Sequence, residues 1–182
     1  EHERKVDFVR RAVGRQHRAM VWDLGCNTGT FSKVAAEHSD YVVSVDGDAD
    51  SIEQLYLKEH AEGGGKILPL VMNLANLSPG QGWMGKERAA FDQRAKPDLV
   101  MCLALIHHIR VSANIPLDLF LDWLRSLGAE IVIEFVDRHD EMFVKLLARK
   151  TVTYPDYSLE AFERLVAERF RVVSREPLKD GR

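Results

Sequence analysis

Titratable side chains lie at the ends of short apolar runs in this sequence. Asp23 precedes a glycine turn in "VWDLGCNTGTFS", Asp46 ends "YVVSVD", and His107 and His108 follow "LVMCLALI". A carboxylate can accept hydrogen bonds from ligand hydroxyl groups, and an imidazole can take a proton near neutral pH. If the apolar runs are parallel strands, these groups meet at the edge of a sheet where such sheets bind ligands. The pattern predicts a ligand site with a general base beside it.

The glycine turn after Asp23 narrows the choice of ligand. Gly25 and Gly29 let the backbone approach a ligand closely and adopt angles that a side chain forbids. A nicotinamide-type fingerprint, G-x-G-x-x-G, beginning at Gly25 would need two further glycines where the chain has Asn27 and Thr30. The turn therefore does not match that fingerprint.

Asp46 indicates an adenosine ligand. It ends the second predicted strand, where a carboxylate can accept hydrogen bonds from both ribose hydroxyl groups. The alternative role for Asp46 is to cap the next helix, but Asp48 already occupies the capping position.

The elements that must position these residues alternate regularly. Short apolar runs alternate with stretches of helical spacing, which is typical of an α/β fold. Several runs are almost continuously apolar, as expected for a parallel sheet covered on both faces. The predicted strands are Met20–Leu24, Tyr41–Asp46, Lys66–Met72, Asp98–Ala104, Ala129–Val136 and Phe170–Arg175.

Helices are predicted between the strands. Val6, Val9 and Val13 form an apolar stripe before the first strand, and a second stripe follows the glycine turn at Phe31, Val34 and Ala35. The predicted start and stop signals of the later helices are Asp48, Pro116, Gly128 and Ser158.

A long connection, residues 73–97, separates the third and fourth predicted strands. It is rich in glycine, proline and asparagine, and one short helix is predicted in it around Lys86–Arg94. Connections of this length are commonly lids or binding loops. Trp83 is expected to form an aromatic wall over a substrate or to pin the loop to the domain, and Lys86 and Arg88 are expected to contact anions.

The glycine turn resembles the D/E-x-G-x-G-x-G turn of class I S-adenosylmethionine-dependent methyltransferases. The matching residues are Asp23, Gly25, Asn27 and Gly29, with Asn27 in place of the middle glycine. Asparagine visits left-handed backbone conformations more readily than most residues, so the turn is expected to survive.

This resemblance covers most of the chain and implies a fold. The fold is Rossmann-like and doubly wound, with a mostly parallel sheet, helices on both faces and the strand order 3-2-1-4-5-7-6. The last stretch, "FRVVSREPLKDGR", looks like the sixth strand running into a hairpin turn, so the seventh strand is predicted to be missing.

The resemblance also implies a cofactor, S-adenosylmethionine, with S-adenosylhomocysteine as the product. Asn73, at the end of the third strand, would pair with the adenine amino group, and Leu74 would pack on the ring. The predicted cofactor-binding residues are Asp23, Gly25, Cys26, Asn27, Gly29, Asp46, Gly47, Asn73, Leu74 and Leu103.

The predicted catalytic residues are His107, His108 and Glu134. One histidine would act as general base or orient the acceptor, although such a histidine can also simply cap a strand. A divalent metal held by a histidine with Glu134 and His139 is an alternative, since small-RNA end methyltransferases similarly combine histidines and glutamates at strand ends. Their ligand spacing is not reproduced here, so no metal is predicted.

Composition sets the broad class. The chain has 182 residues, a net charge of −3 and two cysteines without metal-ligand spacing, Cys26 and Cys102. We expect residues 1–182 to form a single domain that could be part of a longer chain, with free buried thiols. No apolar run is long enough to cross a bilayer, so a cytoplasmic protein without a membrane partner is expected.

The predicted function is methyl transfer to an O or N atom of a small-molecule acceptor. RNA is a less favoured acceptor, suggested by the basic segment "RKVDFVRRAVGRQHR" and opposed by the net charge. A noncatalytic methyltransferase-like module of a larger protein is the third hypothesis. "YPDYSLEAFE", together with "LALIHH" and "IEFV", resembles a bacterial methyltransferase-like group that includes proteins labelled as nodulation factors.

Overall fold

A computed structural model describes residues 2–148 and 150–178 of the chain. Five strands form one sheet in the order β3-β2-β1-β4-β5, and every pairing is parallel. The strands are β1 Arg18–Leu24, β2 Ser39–Asp46, β3 Ile67–Val71, β4 Leu99–Cys102 and β5 Glu130–Ile133. The predicted doubly wound, parallel α/β sheet is therefore confirmed for its first five strands.

Helices cover both faces of the sheet. They are α1 His2–Val13, α2 Thr30–Ala36, α3 Ala49–Ala61, α4 Phe91–Arg94, α5 Leu117–Ser126, α6 Glu141–Leu147 and α7 Leu159–Arg169. A 3-10 turn, Trp83–Gly85, lies in the long connection, and a π-helix, His108–Ser112, follows β4.

Alternation along the strands divides the core into two layers. Val21 faces a cluster that includes Val9 of α1 and Leu55 of α3, whereas the adjacent Trp22 faces a cluster that includes Phe120 of α5 and Phe162 of α7. The inner strands β1, β2 and β4 are therefore buried on both sides, which accounts for their almost continuous apolar sequence, whereas the edge strands β3 and β5 keep exposed positions.

The helix signals read from the sequence are confirmed. The Asp48 carboxylate accepts hydrogen bonds from the Asp50 N–H at 3.2 Å and the Ser51 hydroxyl at 2.6 Å. Ser158 accepts from the Ala161 N–H at 3.2 Å, and α5 begins directly after Pro116. Gly128, directly after the cap of α5, has φ +70°, a left-handed angle suited to ending a helix.

The predicted sixth strand is wrong. Residues 170–178 form no strand in the part of the chain that the structure describes. Ion pairs from Arg175 to Glu163 of α7 and from Glu176 to Arg11 of α1 hold this segment to helices, and it does not form a ladder with β5. The hairpin turn predicted in "KDGR" falls on residues 179–182, outside the described residues.

Other predicted elements are shorter than expected: the strands β3, β4 and β5, and the helix α4. β4 ends at Cys102 because Ala104 has φ +49°, a left-handed angle that a β ladder does not accommodate. The helix predicted from Lys86 begins only at Phe91, because Arg88 forms an antiparallel bridge with Gln81.

No helix in the described ranges has both the length and the apolar character that crossing a membrane requires.

Candidate functional site

The turn between β1 and α2 is a backbone cradle. Gly25, Asn27 and Gly29 have φ angles of +76°, +49° and +81°. The N–H groups of Gly25 and Cys26 both donate to the carbonyl of Val45, at 2.8 and 3.1 Å, which fixes the turn against β2. Asn27 thus adopts the left-handed conformation expected of it in place of a glycine.

Gly29 packs closely against α3. A Cβ atom at this position would overlap the side chain of Leu55 in α3. Gly29 also lies outside the cavity wall described below, although the sequence pattern assigned it to the cofactor. Its role in this structure is to let α2 begin close to α3.

Asp46 fixes the glycine turn from the neighbouring strand. Its Oδ2 accepts a hydrogen bond from the Asn27 N–H at 2.8 Å, and its Oδ1 accepts from the Asp48 N–H at 2.9 Å. A carboxylate has about four acceptor sites, so each oxygen keeps one for a ligand hydroxyl. The two backbone bonds hold the carboxylate in place for that role.

Asn73 lines the cavity at the end of β3. Its Oδ1 accepts a hydrogen bond from the Ala75 N–H at 2.9 Å and keeps a second lone pair, so the amide has both an acceptor and its NH₂ donors for a ligand. The adenine amino group expected from the sequence is a donor and the neighbouring ring nitrogen is an acceptor, so this amide suits both.

These residues surround a cavity of about 600 Å³ at the carboxyl ends of the strands. All the predicted cofactor residues except Gly29 line it. We call one wall the Asp46 side: Gly25, Asn27, Asp46, Gly47, Asn73 and Leu74. We call a second group of lining residues the His108 side: His108, Ser112, Ala113, Val136, Asp140 and Met142.

Asp23 forms the floor of the cavity and is 2% exposed. Its Oδ2 accepts a hydrogen bond from the Ser32 hydroxyl at 2.6 Å, and Ser32 in turn accepts one from Ser44 at 2.8 Å. Burial raises the pKa of Asp23 from 3.8 to about 6, and the hydrogen bond from Ser32 opposes this rise. Asp23 therefore exchanges a proton close to neutral pH.

The two predicted histidines both line the cavity. Their ring centroids are 4.1 Å apart, and His107 is 4% exposed whereas His108 is open to the cavity. The Nδ1 atom of His108 lies 3.4 Å from the Ser112 hydroxyl. Partial burial lowers the pKa of His108, although the charge of Asp46 opposes the shift, so the imidazole is neutral at pH 7.

Glu134 does not line the cavity but contacts two residues that do. Its Oε2 accepts hydrogen bonds from the Lys5 Nζ at 2.7 Å and from the Ala104 N–H at 2.6 Å. The second bond secures the left-handed turn at Ala104, where the backbone leaves β4. The structure therefore places Glu134 where it can position the wall of the site.

The alternative metal set does not come together. His139 is 89% exposed and bonds Asp137, away from the cavity. Among the described residues, the histidine, cysteine and acidic side chains form no group of three that could hold a metal ion.

The long connection does not cover the cavity as expected. Trp83 is 78% exposed, and it is absent from the cavity wall together with Lys86 and Arg88. The Gln81–Arg88 bridge holds the tip of this loop as a separate turn, so the predicted aromatic wall and anion contacts are wrong.

Sequence reasoning missed the contribution of α1. His2 and Lys5 line the cavity, and the Lys5 Nζ also lies 4.9 Å from the centre of the Phe31 ring. The spacing of Val6, Val9 and Val13 identified the buried face of α1 but gave no signal for its first turn. Asp140 and Met142 were also missed, because α6 was not predicted.

Both cysteines are free and buried, as predicted. Burial raises the pKa of each thiol well above its usual range, so both remain protonated.

Comparison with solved structures identifies this architecture as the class I methyltransferase fold. Magnesium protoporphyrin IX methyltransferase from Synechocystis PCC 6803, with bound SAH, aligns at TM-score 0.61 and 20% identity over 92% of this chain and 72% of that one. YcgJ from Bacillus subtilis aligns at TM-score 0.61 and 12% identity over 92% and 68%. N-methyltransferase NodS from Bradyrhizobium japonicum WM9 aligns at TM-score 0.54 and 11% identity over 86% and 89%.

A curated relative resembles the chain in sequence. Nodulation protein NoeA of Rhizobium meliloti (strain 1021) is 33% identical over 172 residues, which are 94% of this chain and 36% of the relative. The chain thus spans about a third of the length of that relative. No family model matches the sequence. The predicted resemblance to methyltransferases and to a nodulation-type group is confirmed.

Proposed function

We propose that this domain binds S-adenosylmethionine and transfers its methyl group to an O or N atom of a small-molecule acceptor. The observation that carries the proposal is the placement of Asp46, which is fixed by two backbone N–H groups and lines the same cavity as the glycine turn and Asn73. The fold similarity to methyltransferases supports it.

The cavity fits an adenosyl ligand. Its volume of about 600 Å³ lies within the range of small-molecule sites. A Cβ atom at Gly47 would meet only the Met72 carbonyl oxygen, at 4.0 Å, so the backbone beside Asp46 borders open space. Asp46 would accept the ribose hydroxyl groups, Asn73 would donate to the adenine ring and Leu74 would pack on it.

The His108 side would hold the acceptor. When bound, the cofactor supplies an electrophilic methyl group on a sulfonium. His108, neutral and open to the cavity, would accept the proton of the attacking group, and the Ser112 hydroxyl beside Nδ1 would orient the ring. Glu134 would act indirectly by holding the turn at Ala104.

An RNA acceptor is less favoured. Three arginines of the basic N-terminal segment pair with acids: Arg10 with Asp7 and Glu37, Arg11 with Glu176, and Arg18 with Glu130. A phosphate-binding surface needs cations free to contact the nucleic acid.

Calorimetric titration with S-adenosylhomocysteine and, separately, with NAD tests the cofactor. We expect the homocysteine compound alone to bind, and Asp46→Asn to weaken it about tenfold or more, since the variant loses charge-assisted acceptors. Asp50→Asn, in the exposed first turn of α3, is the matched control and should bind as the wild type does. A folded protein that binds neither ligand would leave the noncatalytic module as the better hypothesis.

A further inference from the structure

The π-helix that carries His108 has an unusual backbone. The Ala113 N–H donates to the His108 carbonyl at 3.0 Å, five residues back, so the turn holds one residue more than a turn of α-helix does. His108, Ser112 and Ala113 all line the cavity from this turn. Because π-helices are rare, and a rare backbone conformation persists only where its surroundings hold it, contacts from outside must stabilise this one.

One turn, Tyr154–Tyr157, supplies such contacts. The Asp156 carboxylate accepts two hydrogen bonds from the Arg110 guanidinium, at 2.7 and 3.0 Å, and the centre of the Tyr154 ring lies 4.7 Å from the same group. The Tyr154 hydroxyl donates to the Val111 carbonyl at 3.2 Å. Two consecutive residues in the middle of the π-helix are therefore bound to this turn.

Arg110 also binds the residue that follows the π-helix and its cap. Its Nη1 donates to the Oδ1 of Asn114 at 3.0 Å, and Asn114 has φ +57°, a left-handed angle. A guanidinium is planar and carries five N–H donors in fixed directions, so it can bind Asp156 and Asn114 at the same time. The one side chain thus joins the π-helix, its exit and the Tyr154–Tyr157 turn.

The Tyr154–Tyr157 turn is itself anchored to the core. Tyr157 is fully buried, and its hydroxyl donates to the Val136 carbonyl at 2.8 Å. The Arg138 guanidinium donates to the carbonyls of Tyr154 at 3.1 Å and Tyr157 at 2.9 Å. Because Val136 and Arg138 follow β5 closely in the chain, the turn provides the π-helix with a support that is fixed to the sheet.

The placement of His108 depends on the backbone of the π-helix. Its Nδ1 lies 3.4 Å from the Ser112 hydroxyl, four residues further along the same turn. If the turn lost its extra residue, its side chains would rotate relative to one another, and His108 would no longer keep its place on the cavity wall beside Ser112 and Ala113.

We propose that Arg110, Asp156 and Tyr154 are positioning residues for His108, because they hold the π-helix that places the imidazole in the cavity. This inference rests on the proposed function for the role of His108 as a base. The three residues act through His108 and its turn rather than on the substrate.

A second ion pair of the chain gives a matched control. Arg169 of α7 binds Asp122 of α5 at 2.7 and 3.4 Å, and neither residue lines the cavity. The arginine and aspartate of this pair are 14% and 53% exposed, against 15% and 50% for Arg110 and Asp156. Asp156→Asn and Asp122→Asn therefore remove the same group from equally exposed pairs and should lower the urea midpoint to a similar extent.

Two NMR measurements on the ligand-free protein separate these variants. Hydrogen exchange of the Ala113 amide reports on the π-helical bond, and titration of the His108 ring, assigned with His108→Gln, reports on the placement of the imidazole. Asp156→Asn should make the Ala113 amide exchange about tenfold faster, because the turn opens more often. Asp122→Asn should leave both measurements as in the wild type.

Asp156→Asn should also raise the pKa of His108 towards the usual value of about 6.5, because the ring loses part of its burial. Loss of the Asp156 charge and release of the Arg110 guanidinium would each lower this pKa by electrostatics alone. The direction of the change therefore separates a change of placement from a change of charge. The charge of Asp46, which raises the pKa, is present in every variant.

Tyr154→Phe is a second variant that keeps the ring against Arg110 and removes only the hydrogen bond to the Val111 carbonyl. It should change both measurements in the same direction as Asp156→Asn and by less. Binding of S-adenosylhomocysteine should stay within about twofold of the wild type in all three variants, because the Asp46 side is untouched.

An unchanged or lowered pKa of His108 in Asp156→Asn would overturn the inference, even if the Ala113 amide exchanged faster. Equal changes in Asp156→Asn and Asp122→Asn would overturn it too, since they would show a general loosening of the fold. If the wild type does not bind S-adenosylhomocysteine, the proposed function fails, but the NMR comparison still decides whether these residues position His108. The two failures are therefore distinguishable.

Discussion

The Nζ atom of Lys5 lies 2.7 Å from Oε2 of Glu134, and this pair joins the first turn of α1 to the residue after β5. Both side chains are largely buried, at 13% and 7% exposed. Because removal of one partner leaves a buried charge uncompensated, Lys5→Met should lower the free energy of unfolding by about 3 kcal/mol. Urea denaturation measures this loss.

The control for this pair is Arg10→Met, which breaks exposed pairs with Asp7 and Glu37 and should cost less than about 1 kcal/mol. The double variant Lys5→Met with Glu134→Gln should recover part of the loss, because no charge is then left buried. Equal losses of unfolding free energy for Lys5→Met and Arg10→Met would show that the buried pair stabilises the protein no more than the exposed pairs do.

Asp23 should make stability depend on pH. Its pKa is about 6 in the folded protein, above the unfolded value of 3.8. The folded state therefore holds the proton more tightly, so the stabilisation is complete below about pH 4 and is lost as the pH rises through about 6. A shift of this size corresponds to about 3 kcal/mol.

In urea denaturation, the free energy of unfolding of the wild type relative to that of Asp23→Asn should accordingly fall as the pH rises from 4 to 7. The variant lacks the titrating group, so the difference isolates this carboxyl from all others. A difference that stays constant across the range would rule out a raised pKa at Asp23.

His108 should titrate below the usual histidine range. Burial lowers its pKa in the folded protein, so it should charge at a pH below its unfolded value of about 6.5. The stability that this residue contributes is complete above about 6.5 and falls as the pH drops through the folded pKa. Proton NMR of the ring, assigned with His108→Gln, gives the midpoint; a value at or above about 6.5 would contradict this expectation.

Gly29 should tolerate alanine much less well than Gly63 does. Both have left-handed φ angles, +81° and +67°, but a Cβ at Gly29 overlaps Leu55 and a Cβ at Gly63 meets nothing within 4 Å. Gly63→Ala should cost about 1 kcal/mol from backbone strain alone. Gly29→Ala should cost about 3 kcal/mol, because overpacking adds to the strain.

Leu55→Ala separates the two causes. In that background the cost of Gly29→Ala should fall towards that of Gly63→Ala, since the overlapping side chain is gone. Denaturation curves for the four proteins measure this. An unchanged cost would assign the whole effect to the backbone angle.

The fold was predictable at positions where a local structural requirement alone favours a particular type of residue. Apolar runs predict the parallel strands, because the sheet is covered by helices on both faces. The short side chain of Asp48 places its carboxylate where it can cap a helix. Asn27 tolerates the left-handed backbone conformation that the turn requires. The sixth strand was wrong because β-branched residues such as Val172 and Val173 fit a strand, whereas in the structure this segment lies beside α1 and α7, with ion pairs from Glu176 to Arg11 and from Arg175 to Glu163.

The site was predictable only in part, because its walls come from different sources. The Asp46 side is built from strand ends whose neighbours are fixed by sheet order. Lys5 and Asp140 line the cavity because of how α1 and α6 pack, and the sequence of neither helix signals a contribution to a cavity. Trp83, in contrast, was predicted to lie at the site but does not, because an aromatic residue in a long loop need not reach it.

Because the cavity has an Asp46 side and a His108 side, its two groups of lining residues can vary independently in evolution. One wall comes from residues up to Leu74 and the other from residues after His107, so the two are encoded in separate stretches of the gene. Under the proposed function, substitutions in the second stretch would change the choice of acceptor and leave the residues proposed to bind the cofactor unchanged. Related proteins could thus differ in acceptor while they keep the residues of the Asp46 side.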